Sequence, residues 1–234
     1  MKHYTTPPGS LPAVYLDMIQ QPHLLIAGAT GSGKSTVIHG LINAILYYAP
    51  CEKQLILIDS KRVELIEYSK LPHTLFRATE PRQIDAILTA MIKELERRFK
   101  RMEKAKIKFY NGSDIYIIID ELADLITTQK KTVLPPLKRL AQLGRAAKIH
   151  LILATQRPTR DIVSGEIKVN IDARLALRCP TKQDSRNIIN TGGAELLPRF
   201  GYGYYLTPET VRPSFIHLPR VPDFEKDRII QWWK

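Results

Sequence analysis

The sequence predicts an α/β protein with a mainly parallel central sheet flanked by helices. Three observations carry this. From residue 24 onward, short apolar runs alternate with longer amphipathic stretches, the order of βαβ units. Most of the runs are continuous rather than alternating, as strands buried on both faces require. A glycine-rich loop stands where the first such run gives way to the first helical pattern.

The elements follow in chain order. Residues 1–12 are polar and rich in Pro and Gly, and read as an arm or linker ahead of one α/β body at 13–234. The expected strands are HLLIAG (23–28), QLILID (54–59), IYIIID (115–120), HLILAT (150–155), RLALRC (174–179) and YGYYLT (202–207). After the glycine-rich loop, Val37, Ile38, Leu41, Ile42, Ile45 and Leu46 recur at helical spacing. Over 84–102, Ile84, Ile87, Leu88, Met91, Leu95, Phe99 and Met102 share one face. The opposite face carries Lys93, Glu94, Glu96, Arg97, Arg98, Lys100 and Arg101, and reads as solvated. Another helix is expected from about Thr132 to Ala147, with Leu137, Leu140 and Leu143 inward. Pro135 and Pro136 are expected in or before its first turn, where a missing N–H costs little. Ile229, Ile230, Trp232 and Trp233 suggest a last helix docking on the body.

Composition bounds the function. The 234 residues carry a formal net charge of +12, an excess that attracts polyanions. Cys51 and Cys179 form no CxxC and no disulfide or zinc framework, so the expected compartment is the cytoplasm. No apolar stretch approaches the roughly 18 residues of a membrane span, and the first residues lack the apolar centre of a signal peptide.

Gly28, Ala29, Thr30, Gly31, Ser32, Gly33, Lys34 and Ser35 complete the pattern GxxxxGK[ST], with Thr36 following in the helix. Glycines let such a loop turn its N–H groups inward on phosphate oxygens, and the helix N-terminus adds partial positive charge. Lys34 is expected to reach the β- and γ-phosphates and Ser35 to ligate Mg²⁺. The second half of such a site is an acid at the tip of another strand. Asp120 is expected to hold the metal and Glu121 to polarise the attacking water. Without an NKxD segment to specify guanine, the nucleotide is expected to be ATP. Thr155 and Gln156 end a further strand, where a polar side chain can sense the γ-phosphate or merely terminate the strand.

Several longer segments resemble the FtsK/SpoIIIE DNA-translocase motor. They are GATGSGKS, DSK (59–61), PHTL (72–75), ELERRFKRM (94–102), IIIDELADL (117–125), GRAAKIHLILATQRPT (144–159), IKVNIDARLAL (167–177) and DSRNIINTGGAELL (184–197). The resemblance runs from about residue 13 to the C-terminus and implies a RecA-like P-loop ATPase. It further implies a homohexameric ring that pulls double-stranded DNA. Arg145 matches the arginine finger supplied to a neighbour's ATP, and Gln156 the sensor. Arg157, Lys168, Lys182 and Arg186 fall in segments resembling those that hold DNA phosphates in the ring's channel.

Departures are also plain. The segment before the second acidic strand is short, DPK reads DSK, and no membrane-spanning or winged-helix segment is expected. A minimal motor of a plasmid, phage or integrative element, or an excised domain, is the expectation, with a membrane, replication or conjugation protein as partner. Two alternatives stand beside it: a hexameric helicase or coupling-type pump for single strands, and an ATPase that recruits protein substrates in a secretion system.

Overall fold

Among the residues that the computed structural model describes, 16–18 and 20–234, eight strands join in one sheet. They are β1 (His23–Ala27), β2 (Lys53–Ile58), β3 (Thr74–Ala78), β4 (Asp114–Ile119), β5 (Ile149–Thr155), β6 (Ala173–Ala176), β7 (Tyr202–Leu206) and β8 (Ser214–His217). Their spatial order is β3-β2-β4-β5-β1-β6-β7-β8. The first six in chain order pair in parallel, and β7 and β8 close the sheet as an antiparallel hairpin. The arm expected at residues 1–12 lies outside the described residues.

Helices cover both faces, which is why β1 and β5 are buried at every position and mostly apolar. Leu25, Ile56, Ile117, Ile119, Leu151 and Leu153 pack on one side against α2 (Pro81–Ala105) and α3 (Leu122–Ala147). Leu24, Ile26, Leu55, Leu57, Ile118 and Ile152 point the other way, to α1 (Lys34–Leu46) and the C-terminal α6 (Asp223–Trp232). The expected docking of the tail is observed: Ile230 is buried and Trp233 donates its indole N–H to the Leu46 carbonyl at 2.7 Å. Two shorter helices, α4 (Gly165–Lys168) and α5 (Lys182–Ile189), flank β6 in sequence. Among the described residues, no helix is long and apolar enough to cross a membrane.

The structure departs from the sequence reading in five places. Strands β3 and β8 were not expected. Both lie at sheet edges, where Thr74 and Arg77 in β3 and Ser214 and His217 in β8 leave no long apolar run. Helices α4 and α5 were also not anticipated; Thr181 caps α5 by accepting the Asp184 N–H at 3.1 Å. The strand expected over 174–179 is shorter and begins one residue earlier, because the chain leaves the sheet after Ala176. Helix α3 starts at Leu122, well before Thr132, with a kink at Gln129 (φ −147, ψ 41). Pro135 and Pro136 therefore lie inside its second segment, past the first turn, and two N–H groups are missing from the ladder.

The fifth departure is Arg98, expected on a solvated face and found 2% exposed. Its guanidinium accounts for itself through hydrogen bonds. Nε donates to Glu94 Oε1 at 2.8 Å, and Nη1 to the carbonyls of Ala147 (2.7 Å), Ser113 (2.9 Å) and Lys148 (3.2 Å). Arg98 thus closes the C-terminus of α3, whose last carbonyls have no partner within the helix.

Candidate active site

Parallel strands deliver their C-terminal ends to one edge of the sheet, and β5 lies between β1 and β4. The loops after these three strands therefore meet, at the edge where open α/β sheets bind ligands.

The loop after β1 is wedged between its neighbours. Gly28 N–H donates to the Thr155 carbonyl at 3.2 Å, and Ala29 N–H to that of Arg178 at 2.8 Å. A Cβ on Gly28 would stand 2.6 Å from Ser32 Oγ and 2.7 Å from Leu177 Cβ, so no side chain fits there. Gly31 (φ +73) and Gly33 (φ +97) supply the left-handed turns that swing the loop into α1. The Ser32 hydroxyl is buried inside this cradle with no hydrogen-bond partner among the described residues, a group that a phosphate oxygen would satisfy. Lys34, Ser35 and Thr36 form the first turn of α1.

Lys34 is buried, and its ammonium donates to Asp120 Oδ1 at 2.5 Å and to the Asp120 carbonyl at 2.7 Å. The two expected halves of the site are thus in direct contact. The donor set beside them, the Ser35 hydroxyl and Asp120 carboxylate, is hard oxygen and suits Mg²⁺, which takes few protein ligands and fills its shell with phosphate oxygens and water.

Glu121 is buried at the N-cap of α3. Oε1 accepts from the Thr155 hydroxyl at 2.7 Å and the Gln156 N–H at 3.1 Å, both at the tip of β5. The Gln156 side-chain oxygen in turn accepts from Thr30 Oγ1 at 2.7 Å. Gln156 therefore joins the phosphate loop to the acidic pair.

Arg145 is elsewhere. It lies in the last turn of α3, exposed, just before β5 begins. Seven residues of β5 separate it from the tip that meets the phosphate loop, roughly 20 Å at the usual strand rise. A Cβ on Gly144 would meet the Ile149 carbonyl oxygen at 2.4 Å, so the glycine before Arg145 lets the helix end lie directly on β5.

The four expected DNA-contacting residues separate into groups. Lys168 and Arg186 line a common groove of about 450 Å³ together with Arg160, Gln183 and Asn187. Burial first, then the guanidinium groups of Arg174 and Arg160, hold Lys168 below its usual pKa, as expected where cations crowd together. Lys182 is one helical turn from Arg186 on α5. Arg157 stands apart, exposed beside Gln156.

The structure also presents residues that the sequence reading missed. A cavity of about 610 Å³ adjoins the phosphate loop at Ser32, Gly33 and Thr36 and is walled by Phe200, His217, Leu218 and Val221. Its size and apolar walls suit a nucleotide base. Lys61, after β2, places Nζ 3.4 Å from Glu121 Oε2. No local motif marks the cavity, because its far wall comes from the β7–β8 hairpin and the segment leading into α6. Lys61 was visible only as part of DSK.

Comparison with known proteins gives a consistent result. The model of the FtsK/SpoIIIE family matches residues 9–114 and 110–160. A DNA translocase FtsK of Halalkalibacterium halodurans is 39% identical over 240 residues, covering 94% of this chain and 30% of that protein. Another, of Treponema pallidum, is 41% identical over 232 residues, covering 92% and 29%. The chain thus spans about 30% of the length of such relatives. Among solved structures, the pCW3 conjugation coupling protein TcpA, a monomer form with ATPγS, superposes with TM-score 0.82 at 24% identity. The match covers 94% of this chain and 67% of that one. The cytoplasmic domain of the Thermomonospora curvata type VII secretion ATPase EccC gives 0.78 at 22% identity, covering 91% and 28%. These two likenesses establish the fold.

Proposed function

This chain belongs to the FtsK/SpoIIIE family, and on that premise we propose that it is an ATP-hydrolysing motor that drives double-stranded DNA through a homohexameric ring in the cytoplasm. The observation that carries the reading is the division of the site. Phosphate loop, Asp120, Glu121 and Gln156 converge at one edge of the sheet, while exposed Arg145 lies at the other. A finger on Arg145 serves a neighbouring copy, and a ring of copies completes every site.

The geometry supports a role for each residue. The loop N–H groups and Lys34 bind the β- and γ-phosphates, which requires Lys34 to exchange Asp120 for phosphate. Ser35 and Asp120 would hold Mg²⁺, which would supply positive charge to offset that on the phosphates. Glu121 accepts a proton from water as the water oxygen bonds to the γ-phosphorus and the bond to the β-bridging oxygen breaks, releasing ADP and phosphate. Gln156, bonded to both Thr30 and Glu121, relays the state of the phosphate loop to the base. The groove of Arg160, Lys168 and Arg186, with Lys182 nearby, holds DNA phosphates without reading bases, as a motor indifferent to sequence requires. Arg157 is a further phosphate contact near the site.

ATP hydrolysis measured without DNA, with duplex and with single strands tests the proposal. Stimulation by duplex is expected. Stimulation by single strands alone would replace the duplex motor with a single-strand pump. Indifference to both would point to protein cargo.

A further inference from the structure

The two adjacent carboxylates of the site each have their own lysine. Asp120 is paired with Lys34; Glu121 meets Lys61, which reaches it from the far side of β4. The Lys61 side chain is 42% exposed and that of Glu121 3%, so Lys61 stands where the pocket of the base opens to solvent.

The two oxygens of Glu121 are in unequal positions. Oε1 is filled: it accepts from the Thr155 hydroxyl at 2.7 Å, the Gln156 N–H at 3.1 Å and, more weakly, the Ala123 N–H at 3.4 Å. Oε2 shares the same Gln156 N–H at 3.2 Å and otherwise meets only Lys61 among the described residues. Oε2 is thus the less engaged oxygen, with two contacts no shorter than 3.2 Å where Oε1 has three, and is the one placed to take a proton from water.

Lys61 is also well rooted. Buried Asp59 accepts from the N–H groups of Arg62 at 2.9 Å and Leu65 at 3.1 Å, and Ser60 Oγ donates to Asp124 in the first turn of α3 at 3.0 Å. The loop is thus tied down on both sides of Lys61, and its base is fixed relative to the helix that Glu121 caps. The last torsion of a glutamate is soft, and a cation at Oε2 restricts it.

We propose that Lys61 is a positioning residue for the catalytic base: it fixes the carboxylate of Glu121 with Oε2 toward the reacting water. When Lys34 turns to phosphate, Lys61 remains as the cation beside the base. This rests on Glu121 being the base.

The test is Lys61→Met, which keeps length and removes charge. Turnover is expected to fall between roughly tenfold and a hundredfold, the scale of a misplaced reacting group. Affinity for a non-hydrolysable ATP analogue and the thermal midpoint are expected to stay unchanged. Lys61→Arg should recover most of the rate. Added to Glu121→Gln, Lys61→Met should cost nothing further, because both changes act on one group. Wild-type or faster turnover in Lys61→Met, or full additivity in the double variant, would overturn the proposal. Glu121→Gln alone separates the two claims. If it turns over normally, the base assignment falls and this inference with it; if it is slow while Lys61→Met is normal, only the role of Lys61 falls.

Discussion

Arg98 Nη1 donates to the carbonyl oxygen of Ala147 at 2.7 Å, so a buried guanidinium closes the helix that presents Arg145 two residues earlier. Removing it leaves the carbonyls of Ser113, Ala147 and Lys148 short of a donor and Glu94 without its buried partner. Glu94 keeps Arg97, so Arg98→Ala is expected to cost about 1.5–3 kcal/mol, the range for losing hydrogen bonds from a charged donor. Arg98→Lys should recover only part, since an ammonium lacks the planar fork. Urea denaturation measures both, and a loss under about 1 kcal/mol would mean the contacts contribute little.

Lys34→Ala should lose hydrolysis and most nucleotide affinity, because both the phosphates and Asp120 lose their buried cation. Glu121→Gln should bind ATP and turn over slowly, since binding rests on the phosphate loop. Titration with a non-hydrolysable analogue, beside a turnover assay, distinguishes the two. Equal loss of affinity in both variants would refute the division of roles.

Mixing tests the contribution in trans. Arg145→Ala is expected to bind ATP and lose about 10³-fold in turnover, the scale of such fingers. Combining Arg145→Ala with Lys34→Ala subunits should restore some hydrolysis, because mixed rings contain interfaces with both residues intact. No recovery despite demonstrated co-assembly would remove the trans assignment and leave the phosphate loop untouched.

The groove makes a prediction about salt. Affinity for duplex DNA should fall linearly on a log–log scale with salt, with a slope of about −0.9 per phosphate neutralised. Single Ala variants of Arg160, Lys168 and Arg186 should each reduce the slope by about that amount and weaken binding equally on unrelated sequences. Fluorescence anisotropy across a salt series reads both, and a loss confined to one sequence would point to base readout instead.

A buried histidine links stability to pH. Burial, and next the neighbouring His150, push His23 from 6.5 down to about 3, and its Nδ1 accepts the Leu151 N–H at 3.0 Å, which requires the neutral ring. The unfolded chain protonates this ring near pH 6.5; the folded chain does so only near pH 3. The stability it contributes is complete above pH 6.5 and is lost as pH falls toward 3, at about 1.4 kcal/mol per pH unit. Urea denaturation at pH 7, 6 and 5 should show a steeper decline in the wild type than in His23→Gln. Equal declines would contradict this.

The sequence by itself determined the local chemistry. GATGSGKS between an apolar run and a helical pattern dictates a phosphate loop, because Gly31 and Gly33 permit backbone angles that other residues resist. An apolar run ending in Asp120 and Glu121 places two carboxylates at a strand tip for the same local reason. The tertiary structure alone decided which tips are neighbours. Inserting β5 between β1 and β4 puts Gln156 between Thr30 and Glu121, and pairing β2 with β4 brings Lys61 to the base. The β7–β8 hairpin supplies the far wall of the cavity beside Ser32. Periodicity marked the face of α2 that bears Arg98 as polar and could not reveal that the Ala147 carbonyl, 49 residues away, would meet it. Side-chain patterns report on residues three or four apart along a helix, whereas strand order and helix ends are set by how the whole chain packs.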